Sequence, residues 1–378
     1  MSTSFDVAVI GGGIVGLAHA WRAAERGLRV ALFERDAVAQ GATVRNFGMI
    51  WPIGQPAGEL YELALQSAEY WRQLDSLGVV DVELCGSIHL AHRDDESAVL
   101  EEFCAKQTHQ AGMLSSDEVV RRTRLANPRG LLTGMHSSTE LRVDPRTAAR
   151  QITAWLSETL NVTCHFGTLV TQIRDGEVRA ADGRTWRADC SVVCSGSDLQ
   201  TLYPEILRRS GLRPCKLQML KTASQRVRRE PSPHLASGLS LRHYDSFAGC
   251  KSLAALRARI VHETPELDRF GIHVMASQVS TGEIILGDSH EYGDDISAFD
   301  KAEIDELIVR ELRKVIQLDD WTIRERWHGI YAKHPDLAVF ESELTDGVRV
   351  FVGTGGVGMT MSFGLAERAW KRWHDKVK

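Results

Sequence analysis

No apolar run in this 378-residue chain approaches the eighteen or more residues that a membrane-spanning helix requires. Cysteine is sparse. The seven residues at 85, 104, 164, 190, 194, 215 and 250 are odd in number and form no C-x-x-C pair. A disulfide framework and a zinc-type spacing are both unsupported, so no metal is expected, and Cys190 and Cys194 read as small apolar residues beside a buried strand. Positive charge is also in short supply. The 45 Lys and Arg against 50 Asp and Glu leave a formal net charge of −5, and no basic stripe marks a nucleic-acid surface. Repeats and low-complexity segments are absent. With an apolar run beginning within the first few residues, no secretory leader is expected, and the compartment reads as reducing and cytoplasmic.

What is there is an ordinary globular composition, 43% apolar and 25% charged, in a length that suits two domains sharing an interface. The most informative stretch runs from Val7 to Asp36. The apolar run Val7–Ile10 suits a strand buried on both faces. Gly11, Gly13 and Gly16 follow in G-x-G-x-x-G spacing, with Ile14 and Val15 opening a helical segment that runs to about Arg26. Gly27 supplies an end signal, Arg29–Phe33 reads as a second strand, and Glu34 and Arg35 close it. Each glycine has a physical task. Gly11 permits the tight turn, Gly13 lets backbone approach a pyrophosphate, and Gly16 allows close helix–strand packing. The helix N-terminus offers unpaired N–H groups to phosphates, and Glu34 can accept hydrogen bonds from ribose hydroxyls while repelling a 2′-phosphate. The pattern excludes NADP more firmly than it separates FAD from NAD.

Further along, residues 59–77, 94–112, 116–123 and 300–316 carry helical periodicity, and Asp144-Pro145 starts a helix to about Leu160. Val162–Ile173, Gly176–Gly196 and Cys215–Ala223 read as strands, with a hairpin signal at Asp182-Gly183. Gly271–Tyr292 is a hairpin turning at Thr281-Gly282. The chain then closes on a strand, a glycine loop (Gly353–Gly364) and a helix. Two glycine loops at opposite ends of a chain suit one long ligand touched at both ends.

Together these parts resemble the D-amino-acid-oxidase-like family of FAD oxidoreductases, which includes glycine oxidase and monomeric sarcosine oxidase. The residues that carry the resemblance are Gly11–Gly16 with Glu34, "GATVRN" (41–46), "GTLVTQI" (167–173), "VVCSGSD" (192–198) and "GTGGVGMTMSFG" (353–364). The resemblance implies an α/β chain (α+β overall): a Rossmann-like FAD-binding domain from 1–85, 145–225 and 320–378, with a discontinuous antiparallel-sheet substrate domain from 86–144 and 226–319. It implies that Thr43, Arg45, Asn46 and Phe47 lie in the loop against the pyrophosphate and ribityl chain. Val170, Ser195 and Gly196 would lie on the adenine side, and Gly355, Gly356, Gly358, Met359 and Thr360 against the flavin ring. Covalent relatives use a cysteine in the C-terminal third; none follows Cys250 here, so FAD is expected to be non-covalent. More narrowly, "TVRNFGMIWPIGQPAGE" (43–59), "HLASGLSLRHY" (234–244) and "ERWHGIYAKHP" (325–335) resemble FAD oxidoreductases associated with bacterial phosphonate catabolism. Their implied substrates are amines of the 2-aminoethylphosphonate type.

Flavin amine oxidation needs orientation, a dry pocket and charge placement more than acid–base machinery. Glycine oxidase and its relatives grip a carboxylate with an arginine two residues after a glycine; the matching residue here is Tyr331, after Gly329. An ordinary amino-acid substrate is therefore doubtful. Arg242, His243, His273, His328 and Lys333 offer donors to a phosphonate dianion, or else are solvated polar residues. Lys216 and Gln218 stand at the crossover into the substrate domain, where such side chains face the flavin or simply end a strand. Arg45 and Asn46 either hold the pyrophosphate, reach the substrate or brace their own loop. The expected partners are a small amine and O2 or another electron acceptor. The competing expectations are an oxidase of N-substituted glycines such as sarcosine or iminodiacetate, an FAD-bearing RNA-modification module, and a non-catalytic nucleotide-binding protein.

Overall fold

A computed structural model describes residues 4–225, 232–345 and 347–373. The buried run of Ser4–Ile10 forms the centre of an eight-stranded sheet, pairing in parallel with Val30–Phe33 on one side and Thr185–Val193 on the other. Val7, Val9 and Leu32 are fully buried, as the continuous apolar reading requires for a strand covered on both faces. Helices Ile14–Ala24, Glu59–Ser76, Pro145–Leu160 and Gly358–Trp373 lie against this sheet and one another, burying Trp21, Trp71 and Trp370. Local signals set their ends. The Asp144 carboxylate caps the third helix through the Arg146 N–H at 2.9 Å, Pro145 occupies the first turn, and Asn161 ends the helix in the left-handed region (φ 54°).

A second, nine-stranded sheet runs in the order Glu291–Tyr292, Arg213–Thr222, Ile284–Gly287, Met275–Gln278, His234–Ser237, Ser87–Ala91, Thr133–Ser137 and Ala111–Ser115, with Ile323–Lys333 also paired to Arg213–Thr222. It is not purely antiparallel, because His234–Ser237 pairs in parallel with Ser87–Ala91. A small three-stranded sheet of Met49–Ile50, Leu141–Arg142 and Glu83–Leu84 completes the chain's β structure among the described residues.

Three sequence expectations change. Residues 213–222 and 323–333, grouped above with the nucleotide domain, hydrogen-bond along their length into the second sheet. The helix expected over 94–112 stops at Ala105; Gln107 adopts φ 51°, and Ala111–Ser115 becomes a strand beside Thr133–Ser137. The strand expected over 162–173 is broken into Thr163–His165 and Val170–Arg174 by Gly167, at φ 62°.

Candidate active site and cofactor cleft

Between the sheets runs a cleft of about 1430 Å³, counting its open mouth. Its lining runs from the first glycine loop to the C-terminal glycine loop, as a long ligand touched at both ends requires. One end is built by the first glycine loop. A Cβ on Gly16 would stand 1.9 Å from the Gly11 carbonyl oxygen, so helix and strand approach here only because the residue is glycine. Gly13 caps the helix without a side chain, leaving first-turn N–H groups and the positive end of the helix dipole toward the cleft. The Ile14 N–H is one exception, donating to Thr43 Oγ1 at 2.9 Å. Glu34 ends the second strand with its carboxylate in the cleft, accepting from Gly12 N–H at 2.7 Å and Asp36 N–H at 3.0 Å. It keeps lone pairs for ribose hydroxyls.

Gly11, Gly13, Ile14, Val15, Glu34, Arg35, Thr43, Arg45, Asn46, Val170, Ser195, Gly196, Gly355, Gly356, Gly358 and Met359 all line the cleft. Gly16, Phe47 and Thr360 do not. Gly16 works by packing, as above. Phe47 is buried in the core of the second sheet, and Thr360 accepts a hydrogen bond from Trp51 N–H at 2.9 Å. The Asn46 side chain is committed to its own loop, donating to the Ala42 and Thr43 carbonyls and accepting from Gly48 N–H. Arg35 reaches across the mouth to Asp198 at 2.9 Å, a cleft residue that sequence reasoning had not assigned.

The second sheet supplies the opposite wall, and strand parity decides which residues face it. Directly paired residues share a face, so Cys215, Leu217 and Met219 stand with Tyr331, Gly329 and Trp327. Leu217, Gly329 and Tyr331 line the cleft. Lys216, Gln218 and His328 therefore lie on the other face, a correction to the flavin-side and substrate-side roles expected of them. The Lys216 ammonium is fully occupied by the Ser297 and Phe299 carbonyls at 2.9 and 2.7 Å and by Asp300 at 2.8 Å. Gln218 bonds the Lys301 backbone and Asp305, and His328 bonds Asp300 at 2.8 Å.

Tyr331 and Lys333 share the cleft-side face. The Tyr331 hydroxyl lies 3.5 Å from where a Cβ on Gly356 would stand, and the Lys333 ammonium lies 6.0 Å from the Tyr292 ring. Behind them sits a polar cluster. His243 stacks on His273 with centroids 3.9 Å apart, and His290 stacks on His273 at 5.1 Å. The His290 ring meets Tyr331 edge-on at 6.5 Å. Asp288 lies within 3.1 Å of His273 Nε2. Burial pushes the Asp288 carboxyl well above the usual carboxylate range and holds His243 and His273 well below the usual imidazole range. It brings His290 down to about 4 and the Cys215 thiol up to about 11, the latter opposed by the Tyr331 and Tyr292 hydroxyls. Arg242 borders the cluster without lending it a free guanidinium: it is ion-paired with Asp268 and donates to the Ile272 carbonyl at 2.8 Å.

Of the expected substrate residues, the structure thus gathers His243, His273, Lys333 and Tyr331 and sets Arg242 and His328 apart. Sequence reasoning missed His290, Asp288 and Tyr292. A signal was present, because a hairpin turning at Thr281-Gly282 brings residue 273 back against residues 288–290.

A glycine-rich parallel βα cradle, a second glycine loop and a facing mixed sheet define a flavin-nucleotide oxidoreductase fold. The chain belongs to the FAD dependent oxidoreductase family, whose model matches residues 6–371. The glycine oxidase structure from Geobacillus kaustophilus superposes with a TM-score of 0.77 at 18% identity, covering 99% of this chain and 95% of that one. The iminodiacetate oxidase structure from Chelativorans sp. BNC1 gives 0.69 at 17% identity, covering 96% and 93%. In sequence, the glycine oxidase of Geobacillus kaustophilus is 34% identical over 106 residues, 26% of this chain and 28% of that protein. A bifunctional tRNA 5-methylaminomethyl-2-thiouridine biosynthesis protein of Shewanella halifaxensis is 36% identical over 116 residues, 29% of this chain and 18% of its own length. These alignments span less than a third of the relatives they match.

Proposed function

We propose that this protein is a cytoplasmic enzyme that oxidises a small amine carrying a phosphonate head group, such as 2-aminoethylphosphonate or an N-methyl or 1-hydroxy relative. The product is an aldehyde such as phosphonoacetaldehyde, with release of ammonia or an amine. The observation that carries this reading is Tyr331. It stands on the cleft face with Lys333, and three imidazoles lie behind it; the resemblance implies that glycine oxidase-type chains place a carboxylate-gripping arginine at this position. Seven unpaired cysteines fit a reducing compartment.

The cleft fits FAD: Glu34 would hold the adenosine ribose, the Gly11–Gly16 turn and helix N-terminus the pyrophosphate, and the Gly355–Met359 loop the flavin end. When bound, FAD supplies the two-electron oxidation, accepting hydride from the carbon next to nitrogen. The chain itself does the rest. Lys333 and the Tyr331 hydroxyl hold the anionic head group, orienting the amine end toward the Gly356 loop. Buried Leu217 and Gly329 give that end an apolar wall that excludes water. The resulting imine hydrolyses to the aldehyde, and O2 or another acceptor takes the electrons. With no cysteine after Cys250, we take the flavin to be non-covalent, so acid or heat should free it from the precipitated chain. Anaerobic bleaching of the flavin by a panel of amines tests the substrate reading; efficient bleaching by sarcosine or iminodiacetate alone would replace it with oxidation of N-substituted glycines.

A further inference from the structure

His243, His273, His290 and Asp288 come from three segments that are remote in sequence, and no spacing motif links them. In the fold the three imidazoles converge, with Asp288 beside His273. One nitrogen from each of the three imidazoles lies within 4.8 Å of the others. His273 Nε2 is 3.1 Å from Asp288 Oδ1, and His290 Nε2 is 4.0 Å from Asp288 Oδ2. Nitrogens bound tetrahedrally to one ion at about 2.0–2.1 Å stand roughly 3.4 Å apart, so a modest inward turn of the rings would close a coordination shell.

Two further observations point to a cation. First, the far nitrogens are already engaged: His290 Nδ1 with the Gly271 carbonyl at 3.1 Å, and His273 Nδ1 with Ser240 Oγ at 3.3 Å. Such outer bonds fix the tautomer and turn the Nε2 lone pair inward, as they do for metal-ligating histidines. Second, His273 Nε2 and Asp288 Oδ1 are both buried without a hydrogen-bond partner. The two stand 3.1 Å apart without an aligned hydrogen bond, and buried polar atoms left so are costly. The nearest permanent cations do not relieve it: Arg242 is paired with Asp268, and Lys333 sits over the Tyr292 ring.

We propose that His243, His273 and His290 bind one borderline divalent first-row cation, of the Zn2+ type, with Asp288 beside them as the neighbouring carboxyl. Three imidazole nitrogens, with no thiolate, are a ligand set for such ions rather than for Ca2+ or Cu+. Three protein ligands would leave the fourth position of such an ion open to an oxyanion, so the cluster would serve the head group through the metal as well as through Lys333. The site rests on the geometry of these three imidazoles and not on the identity of the substrate.

Elemental analysis of tag-free, FAD-loaded protein tests it. After incubation with ZnCl2 and removal of excess, about one zinc per chain should remain, and a chelator should strip it with the flavin spectrum unchanged. Added Zn2+ should raise the melting temperature of the stripped protein. His273→Ala should reduce zinc to under about a tenth of that level while retaining FAD. Because His273 is buried, half-buried His243→Ala is the second variant, expected to weaken zinc binding by roughly 10–100-fold. Wild-type protein that holds no zinc, or variants that hold it as well as the parent, would overturn the site. A bleaching panel favouring carboxylates would instead overturn the substrate and leave the metal standing.

Discussion

Cys215 and Tyr331 face each other across paired strands, and that one register determines which side chains of the second sheet look into the cleft. It places the Tyr331 ring beside the C-terminal glycine loop and turns Lys216 away. Substrate preference should follow from the first consequence and stability from the second.

Tyr331→Arg should restore a carboxylate grip. A charged, bidentate contact is typically worth about 1.5–3 kcal/mol, so kcat/KM for glycine or sarcosine should rise by roughly tenfold or more. The value for an aminophosphonate should not rise with it. Steady-state kinetics on both substrates decide this; an unchanged ratio would remove Tyr331 from specificity.

Lys216→Met should act on stability rather than on chemistry. It deprives the Ser297 and Phe299 carbonyls and Asp300 of their shared donor, at a cost of about 2–4 kcal/mol. The flavin spectrum and KM should stay close to those of the parent. A large fall in the rate of flavin reduction, with stability intact, would return Lys216 to the active site.

Glu34→Ala should weaken FAD binding by roughly ten- to hundredfold without altering substrate preference, because its carboxylate lines the cleft where we propose the adenosine ribose binds. Titration of the flavin-free protein with FAD measures the effect. Tight binding by the variant would show that the ribose is held elsewhere.

His19 makes the folded state acid-sensitive. It is fully buried between Phe351 and Trp373, and burial lowers it to about 3 from 6.5. Its folded pKa lies below the unfolded one, so its share of stability is complete above about pH 6.5 and falls as the unfolded chain takes up the proton, by about 1.4 kcal/mol per pH unit. Between about pH 7.5 and 5.5 the parent should therefore lose about 1.4 kcal/mol more than His19→Phe in urea unfolding. Equal losses would mean that His19 does not remain neutral in the fold.

The nucleotide half was legible because its signals are local. The Gly11–Gly16 spacing, the apolar run before it and Glu34 after it each require only neighbours in sequence, and Ile10, Gly11, Gly13 and Glu34 line the cleft. The substrate half was less so, for two physical reasons. Along Arg213–Thr222 the face of every side chain hangs on a one-residue choice of parity, and Lys216 and Gln218 were assigned to the wrong face. The imidazole cluster forms only by tertiary convergence, with His243 from a short helical turn and His273, Asp288 and His290 from the two arms of a hairpin. Arg242 was read by its charge, which the fold commits to Asp268.

The most direct test is the anaerobic rate of flavin reduction by 2-aminoethylphosphonate and its N-methyl derivative, measured beside glycine, sarcosine and iminodiacetate on the same protein. We predict that an aminophosphonate bleaches the flavin far faster than any of the three carboxylates and that inorganic phosphate slows it by competition. Rapid bleaching by a glycine-type amine, with the aminophosphonates leaving the flavin yellow, would contradict the phosphonate pocket.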